Sequence, residues 1–205
     1  MRRSPSNDNI REALAPATKR TDEIVPIPNE GNTRVPGLWH MEGFISEAEE
    51  EALRDAIYQC AWSTALKRRV QHWGYKYNYK ARHVDKNDFL GPLPEWTSVV
   101  TQKLAKLGLE GFDQMIINEY LPGQGISAHM DVPSMFGPVI VSVSLMADAE
   151  MTFSLNEKKV PILLRRRSIV VLQGDSRYKW KHEIKGSKLQ QGTRISLTLR
   201  TVKKE

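Results

Sequence analysis

The chain has 205 residues, of which 40% are hydrophobic and 26% are charged, a composition typical of one globular domain with a substantial core. Thirty Lys and Arg residues against 24 Asp and Glu give a net charge of +6, which permits an acidic partner such as nucleic acid but does not require one. Cys60 is the only cysteine, and the longest apolar run is "PVIVSVSLMA", so an internal disulfide, a cysteine-based zinc site and a membrane span are excluded.

The first part of the chain predicts a tail followed by helices. Residues 1–34 are polar, with mixed charge and prolines, and predict a disordered tail ahead of a folded part over 35–205. Ser46 and Glu49 form a capping-box pattern that predicts the start of a helix. A second apolar stripe predicts a helix over 95–107.

From residue 112 onward the hydrophobic period changes to two, which indicates strands. Strands are predicted near residues 113–120, 126–131, 139–147, 150–155, 168–172, 178–184 and 193–202. Helices followed by many short strands predict an α+β fold, mainly β, in which an antiparallel structure carries the N-terminal helices on one side. We expect a monomer in a reducing, aqueous compartment, either the cytoplasm or the nucleus.

Polar residues share faces of several predicted strands, because side chains of equal parity point the same way. His129 and Asp131 share a face of one strand, and His182 lies on a face of a later one. A polar strand face is usually just solvated, so only the convergence of these residues favours a cavity. Two histidines and one carboxylate would leave open positions on Fe(II).

The last strand, "TRISLTLR", alternates polar and apolar residues. Arg194 and Arg200 lie on its polar face about 20 Å apart along the chain, at roughly 3.3 Å per residue. Their long side chains leaning towards each other would leave a gap that matches a small dicarboxylate, and guanidinium is the natural bidentate partner of a carboxylate. A competing His-x-Asp pair, His83 and Asp85, stands earlier in the chain.

Three segments, "NEYLPGQGISAHMD", "GDSRYKWKHEI" and "RISLTLR", together resemble the AlkB family of Fe(II)- and 2-oxoglutarate-dependent dioxygenases. Within that family, "LKRRVQHWGYKYNY" is similar to the AlkB domain of the tRNA wobble-uridine hydroxylase. The resemblance implies a double-stranded β-helix (jelly-roll) core and O₂ as cosubstrate. It implies His129, Asp131 and His182 as catalytic iron ligands, and Asn118, Tyr120, Arg194, Ser196 and Arg200 as the 2-oxoglutarate site. Arg194 and Tyr120 would hold the far carboxylate, and Arg200 and Asn118 the one beside the keto group.

The resemblance also implies that residues 66–86 form a nucleotide-recognition lid over the iron. This segment is basic, and its aromatic residues Trp73, Tyr75, Tyr77 and Tyr79 alternate in sequence, which predicts one shared face. Its candidate substrate contacts are Arg68, Arg69, Trp73, Tyr75, Lys76 and Tyr77. The sequence therefore predicts oxidation of modified or alkylated bases in tRNA, single-stranded RNA or DNA. Two alternatives stay open: a protein or small-molecule hydroxylase with the same iron centre, and a non-catalytic RNA-binding module.

Overall fold

The structure is a computed structural model that describes residues 34–79, 81, 83–186 and 192–203. Apart from Arg34, the predicted tail lies outside the described residues. The elements in chain order are β1 (Leu38–Met41), α1 (Glu47–Tyr58), β2 (Arg69–Trp73), α2 (Ser98–Lys106), β3 (Gln114–Tyr120), β4 (Ile126–His129), β5 (Ile140–Leu145), β6 (Ala149–Leu155), β7 (Lys158–Leu164), β8 (Ile169–Leu172), α3 (Gly174–Tyr178), β9 (Lys181–Ile184) and β10 (Arg194–Arg200).

Two antiparallel sheets make up the body of the protein. One has six strands in the order β1-β8-β5-β10-β3-β2, and the other has four in the order β4-β9-β6-β7. A core of buried residues from both sheets fills the space between them, including Phe153 and Ile162 from the smaller sheet and Ile140 and Val170 from the larger. This is the layered arrangement of a jelly roll, and the prediction of a mainly β fold is confirmed.

The two longer helices pack against the outer face of the six-stranded sheet. Leu53 of α1 and Leu104 of α2 are buried with Met115 and Ile117 of β3 in a second core. The Ser46 hydroxyl accepts a hydrogen bond from the Glu49 backbone, and the Glu49 carboxylate accepts one from the Ser46 backbone, so the predicted capping box is present. No helix in the described part of the chain is long and apolar enough to cross a bilayer.

Three strands were not predicted from the sequence, and each of them lies at the edge of a sheet. β1 and β2 flank the larger sheet, and β7 flanks the smaller one. Pro161 stands inside β7, which only an edge strand tolerates because proline cannot donate a ladder hydrogen bond. The strand predicted over 178–184 begins only at Lys181, because the short helix α3 ends at Tyr178.

Candidate metal centre and cofactor cavity

Two neighbouring strands of the smaller sheet bring the three predicted metal ligands together. His129 ends β4 and lies directly opposite His182 of β9, with ring centroids 4.4 Å apart. Asp131 follows two residues later, beyond the end of the strand. One candidate ligand atom from each of the three residues lies within 4.8 Å of the others. Two imidazoles and one carboxylate are the donor set that suits Fe(II) with open coordination positions.

The protonation states of these residues also suit a metal. Burial opposes ionisation of Asp131, but the charge of Arg200 and the neighbouring histidines outweighs it and holds the pKa of Asp131 at about 2. Burial, reinforced by the nearby His129, lowers the pKa of His182 to about 4. At neutral pH the carboxylate is therefore ionised and the imidazole neutral, which are the forms that bind metals.

His129 is oriented through its other ring nitrogen. Its Nδ1 lies 2.8 Å from the carbonyl oxygen of Ser127. An N–H at Nδ1 that donates to this carbonyl leaves Nε2 as the nitrogen available to a metal, the usual way in which a histidine ligand is held in one tautomer. The side chain is half-buried, so this ligand faces both the interior and the surface.

A cavity of about 280 Å³ opens beside the three ligands. The polar faces of β3 and β10 form one of its walls, where Asn118 pairs with Ser196 and Tyr120 with Arg194 across the two strands. The cavity lining includes Asn118, Tyr120, His129, Asp131, His182, Ser196 and Arg200. Seven of the eight predicted metal and 2-oxoglutarate residues therefore line one cavity, and the eighth, Arg194, lies against the Tyr120 ring at 5.5 Å.

Arg194 is a buried cation without a carboxylate partner among the described residues. Its side chain is 1% exposed, and its Nη2 donates to the Ser144 hydroxyl at 2.8 Å. Its Nε and Nη1 have no hydrogen-bond partner in the part of the chain that the structure describes. Burial lowers the pKa of Arg194. A carboxylate bound beside these two nitrogens would satisfy both, so the residue fits one end of a dicarboxylate.

Arg200 connects the metal centre to the other end of the cavity. Its Nη1 donates to Asp131 at 2.7 Å, and its guanidinium lies 4.0 Å from the centre of the Phe136 ring. Two further nitrogens, Nε and Nη2, have no partner among the described residues. The Asn118 carbonyl oxygen accepts a hydrogen bond from Arg68 Nε at 2.8 Å, which orients the amide and leaves its NH₂ to donate elsewhere. This end of the cavity also fits a carboxylate.

Part of the predicted lid reaches the cavity. Arg68 and Tyr77 line it, together with Tyr79, and the Tyr77 and Tyr79 rings meet edge to face at 5.0 Å. Lys76 is exposed, and it follows Tyr75 on the segment that leads from β2 to Tyr77. Arg68, Tyr77 and Tyr79 are thus the residues of the 66–86 segment that line the cavity, and the covering lid stays a prediction.

The cavity lining does not include three other predicted substrate residues. Arg69 lies on the helix-facing side of β2, where it forms a bidentate ion pair with the buried Glu119. Trp73 lies on the same side and meets the Trp96 ring edge to face. Tyr75 packs on Phe89 at 5.0 Å. The expected common aromatic face is absent because β2 ends at Trp73 and the chain then turns at Gly74, whose φ is +76°.

The chain matches the model of the 2OG-Fe(II) oxygenase superfamily over residues 37–200, and it belongs to that family of oxidoreductases. Among curated proteins it is 31% identical to the Alkylated DNA repair protein ALKBH8 homolog of Arabidopsis thaliana, over 92% of this chain and 65% of the relative. It is 40% identical to the tRNA (carboxymethyluridine(34)-5-O)-methyltransferase ALKBH8 of Mus musculus, over 73% of this chain and 24% of the relative. The predicted assignment to the AlkB branch of the family is confirmed.

A solved structure shares the fold. OsALKBH1 superimposes with a TM-score of 0.65 at 15% identity, covering 81% of this chain and 97% of that one. The chain spans 65% of the length of the plant relative and about a quarter of the length of the mouse relative.

Proposed function

We propose that the protein is an Fe(II)- and 2-oxoglutarate-dependent dioxygenase that oxidises a modified or alkylated base in nucleic acid, by hydroxylation or by oxidative demethylation. One observation carries the proposal. A single cavity presents His129, Asp131 and His182 as ligands and is lined by the buried Arg200, which has two guanidinium nitrogens without acceptors among the described residues. The buried Arg194, against the cavity residue Tyr120, has two such nitrogens as well.

Each predicted residue has a role in holding the cofactors. His129, Asp131 and His182 would hold the iron, while Arg194 and Tyr120 would bind the far carboxylate of 2-oxoglutarate. The carboxylate beside the keto group would be bound by Arg200 and Asn118, with the Ser196 hydroxyl facing the same cavity. When bound, Fe(II) and 2-oxoglutarate supply the activation of O₂ that oxidises a substrate C–H bond, with succinate and CO₂ as co-products.

The protein orients these groups and keeps bulk water away from them. Arg200 fixes one oxygen of Asp131, so the other oxygen is directed towards His182 Nε2, 3.7 Å away. Apolar side chains such as Ile116 and Met151 form much of the remaining wall. A largely apolar cavity strengthens the electrostatic interactions inside it and limits side reactions at a reactive centre.

The lid residues support a nucleic-acid substrate. Tyr77 and Tyr79 offer aromatic faces at the cavity, and aromatic rings stack on unpaired bases of any sequence. Arg68 at the cavity and the exposed Lys76 would contact phosphates, and a base would have to leave its stack to reach the buried metal centre. The names of the relatives, which refer to alkylated DNA repair and to tRNA carboxymethyluridine, support the same substrate class.

The test is turnover of oligonucleotides that carry methylated bases or modified wobble uridines, with Fe(II), 2-oxoglutarate and O₂. We expect oxidised product and succinate to form together, to require both cofactors, and to disappear in His129→Ala. Product formation independent of Fe(II) or of 2-oxoglutarate would contradict the proposal. Succinate formed with a peptide or small molecule, unaffected by Lys76→Ala, would establish the alternative hydroxylase. RNA binding without any 2-oxoglutarate consumption would establish the non-catalytic module.

A further inference from the structure

The segment from Asp131 to Gly137 positions several groups of the site at once. It begins with the predicted carboxylate ligand and contains Phe136, which is fully buried beneath the Arg200 guanidinium. The Phe136 ring also lies 6.0 Å from the lid residue Tyr77. The segment lies between β4 and β5 and belongs to neither strand. Phe136 forms one isolated antiparallel bridge with Val202, and the rest of the segment's shape depends on turn and side-chain contacts.

Arg177 makes such contacts at both ends of the segment. Its Nη1 donates to the carbonyl oxygen of Asp131 at 2.6 Å, its Nη2 to that of Phe136 at 3.3 Å, and its Nε to that of Gly137 at 3.2 Å. The side chain is 1% exposed, and within the described ranges it forms no ion pair with a carboxylate. All three nitrogens of the planar guanidinium therefore donate to carbonyl oxygens of one short stretch of backbone.

Arg177 directs the hydrogen bonds described here to carbonyls, and its guanidinium also lies 5.0 Å from the centre of the Tyr178 ring. Burying a cation without a carboxylate partner is costly, so these bonds point to a specific purpose. Burial lowers the pKa of Arg177, whereas the nearby charge of Asp131 raises it. Arg177 also stands on α3, only five residues before His182. It thus connects the helix that leads into one predicted ligand with the backbone of another.

We propose that Arg177 is a positioning residue for the metal centre: it fixes the Asp131 carbonyl and the Phe136–Gly137 turn so that the Asp131 carboxylate and Arg200 keep their places. The proposal rests on the proposed function in one respect, since it takes His129, Asp131 and His182 as the metal site. Arg177 is not one of the three candidate ligands, and it does not line the cavity. It acts through the backbone, as groups beyond the ligands of a metal commonly do.

The test measures metal affinity rather than turnover. Mn(II), which does not react with O₂ in the course of a titration, is titrated into wild type, Arg177→Met and Arg177→Lys below their melting temperatures, by calorimetry and by electron paramagnetic resonance. We expect the Mn(II) Kd of Arg177→Met to rise by about 10- to 100-fold, the usual effect of removing a group that orients a ligand. Arg177→Lys, which keeps a charge but reaches fewer carbonyls, should fall between the two.

Arg166→Met is the matched control. Arg166 donates from Nε and Nη2 to one carboxylate oxygen of the buried Glu50, and it does not line the cavity. Its loss should lower the melting temperature and leave the Mn(II) Kd within twofold of wild type. The comparison separates general destabilisation from loss of ligand positioning.

The outcomes distinguish the two proposals. If wild type binds no Mn(II), or binds it equally well after His129→Ala, the proposed metal site fails. If wild type binds Mn(II) through His129 while Arg177→Lys and any folded Arg177→Met bind within twofold of it, the positioning role is overturned and Arg177 only stabilises the fold. Should Arg177→Met not fold, Arg177→Lys decides the question alone.

Discussion

Replacing Arg194 by methionine should change cofactor affinity and fold stability in opposite directions. The guanidinium is buried, has one hydrogen bond to Ser144, and keeps two nitrogens without partners among the described residues. Two charge-assisted hydrogen bonds to a carboxylate contribute roughly 3–6 kcal/mol, taking about 1.5–3 kcal/mol for each. At about 1.4 kcal/mol for each factor of ten, the Kd for 2-oxoglutarate should rise by roughly 10²- to 10⁴-fold.

The ligand-free protein should tolerate the same change well. Burying an isolated cation costs roughly several kcal/mol of folding free energy, because the charge leaves water. Methionine removes that cost and fills much of the same space. The Ser144 hydroxyl loses one donor, which costs about 1 kcal/mol. We therefore expect the melting temperature of Arg194→Met to be equal to that of wild type or higher by a few degrees, since about 1 kcal/mol corresponds to roughly 2–4 °C at this chain length.

Calorimetric titration of 2-oxoglutarate into the Mn(II)-loaded protein, together with thermal unfolding of the ligand-free protein, measures both effects. Ser144→Ala is a useful companion, because it removes the hydroxyl and leaves the guanidinium in place. A variant Arg194→Met that unfolds many degrees lower and binds 2-oxoglutarate as tightly as wild type would refute the reasoning. It would show that Arg194 holds the fold together and does not receive the cofactor.

Further predictions concern the metal, the lid and the loops. His129→Ala should weaken Mn(II) binding by at least about 100-fold in calorimetry, and unchanged affinity would exclude it as a ligand. Arg69→Ala should lower the free energy of unfolding by about 1–3 kcal/mol, because Glu119 stays buried without its cation, while leaving the salt dependence of oligonucleotide binding unchanged. Gly186→Ala should lower the free energy of unfolding, measured with denaturant, by about 1–3 kcal/mol, because the new Cβ would lie 2.0 Å from the Gly123 carbonyl oxygen. A variant as stable as wild type would contradict this packing.

The sequence predicted the interior of the fold better than its margins. Central strands such as β3, β5 and β10 alternate or run apolar over six or seven residues, so their periodicity is visible. The edge strands β1 and β7 are short or contain proline, and they depend on a partner strand that the sequence does not specify. These edge strands form because they pair with strands that are distant in sequence. The local pattern of residues carries little information about such pairing.

The site shows the same division between residues fixed by strand parity and residues fixed by tertiary contacts. Alternation along β10 was enough to place Arg194, Ser196 and Arg200 on one face, and the structure shows all three buried there. Parity failed in the lid, where it placed Trp73 with Tyr77, because the turn at Gly74 ends the strand between them. Arg177 was missed because a buried arginine bound to carbonyls carries no periodic signal, although it stands in the segment "GDSRYKWKHEI".

The distribution of charge around the cavity leads to one more prediction. Arg194 and Arg200 are both buried, and Asp131 is the only acid that lines the cavity among the described residues. The ligand-free site thus carries an excess of positive charge, a local conflict of the kind that folded proteins keep at functional positions.

2-Oxoglutarate should therefore stabilise the protein even without metal. At 100 times its Kd the free energy of unfolding should rise by about 2.7 kcal/mol, which corresponds to a melting temperature higher by roughly 5–10 °C. Pyruvate, a keto acid with one carboxylate, should have a much smaller effect at equal ionic strength, and Arg194→Met should reduce the difference between the two ligands. Equal stabilisation by both would mean that only one arginine meets a carboxylate, and the assignment of the two ends of the cavity would be wrong.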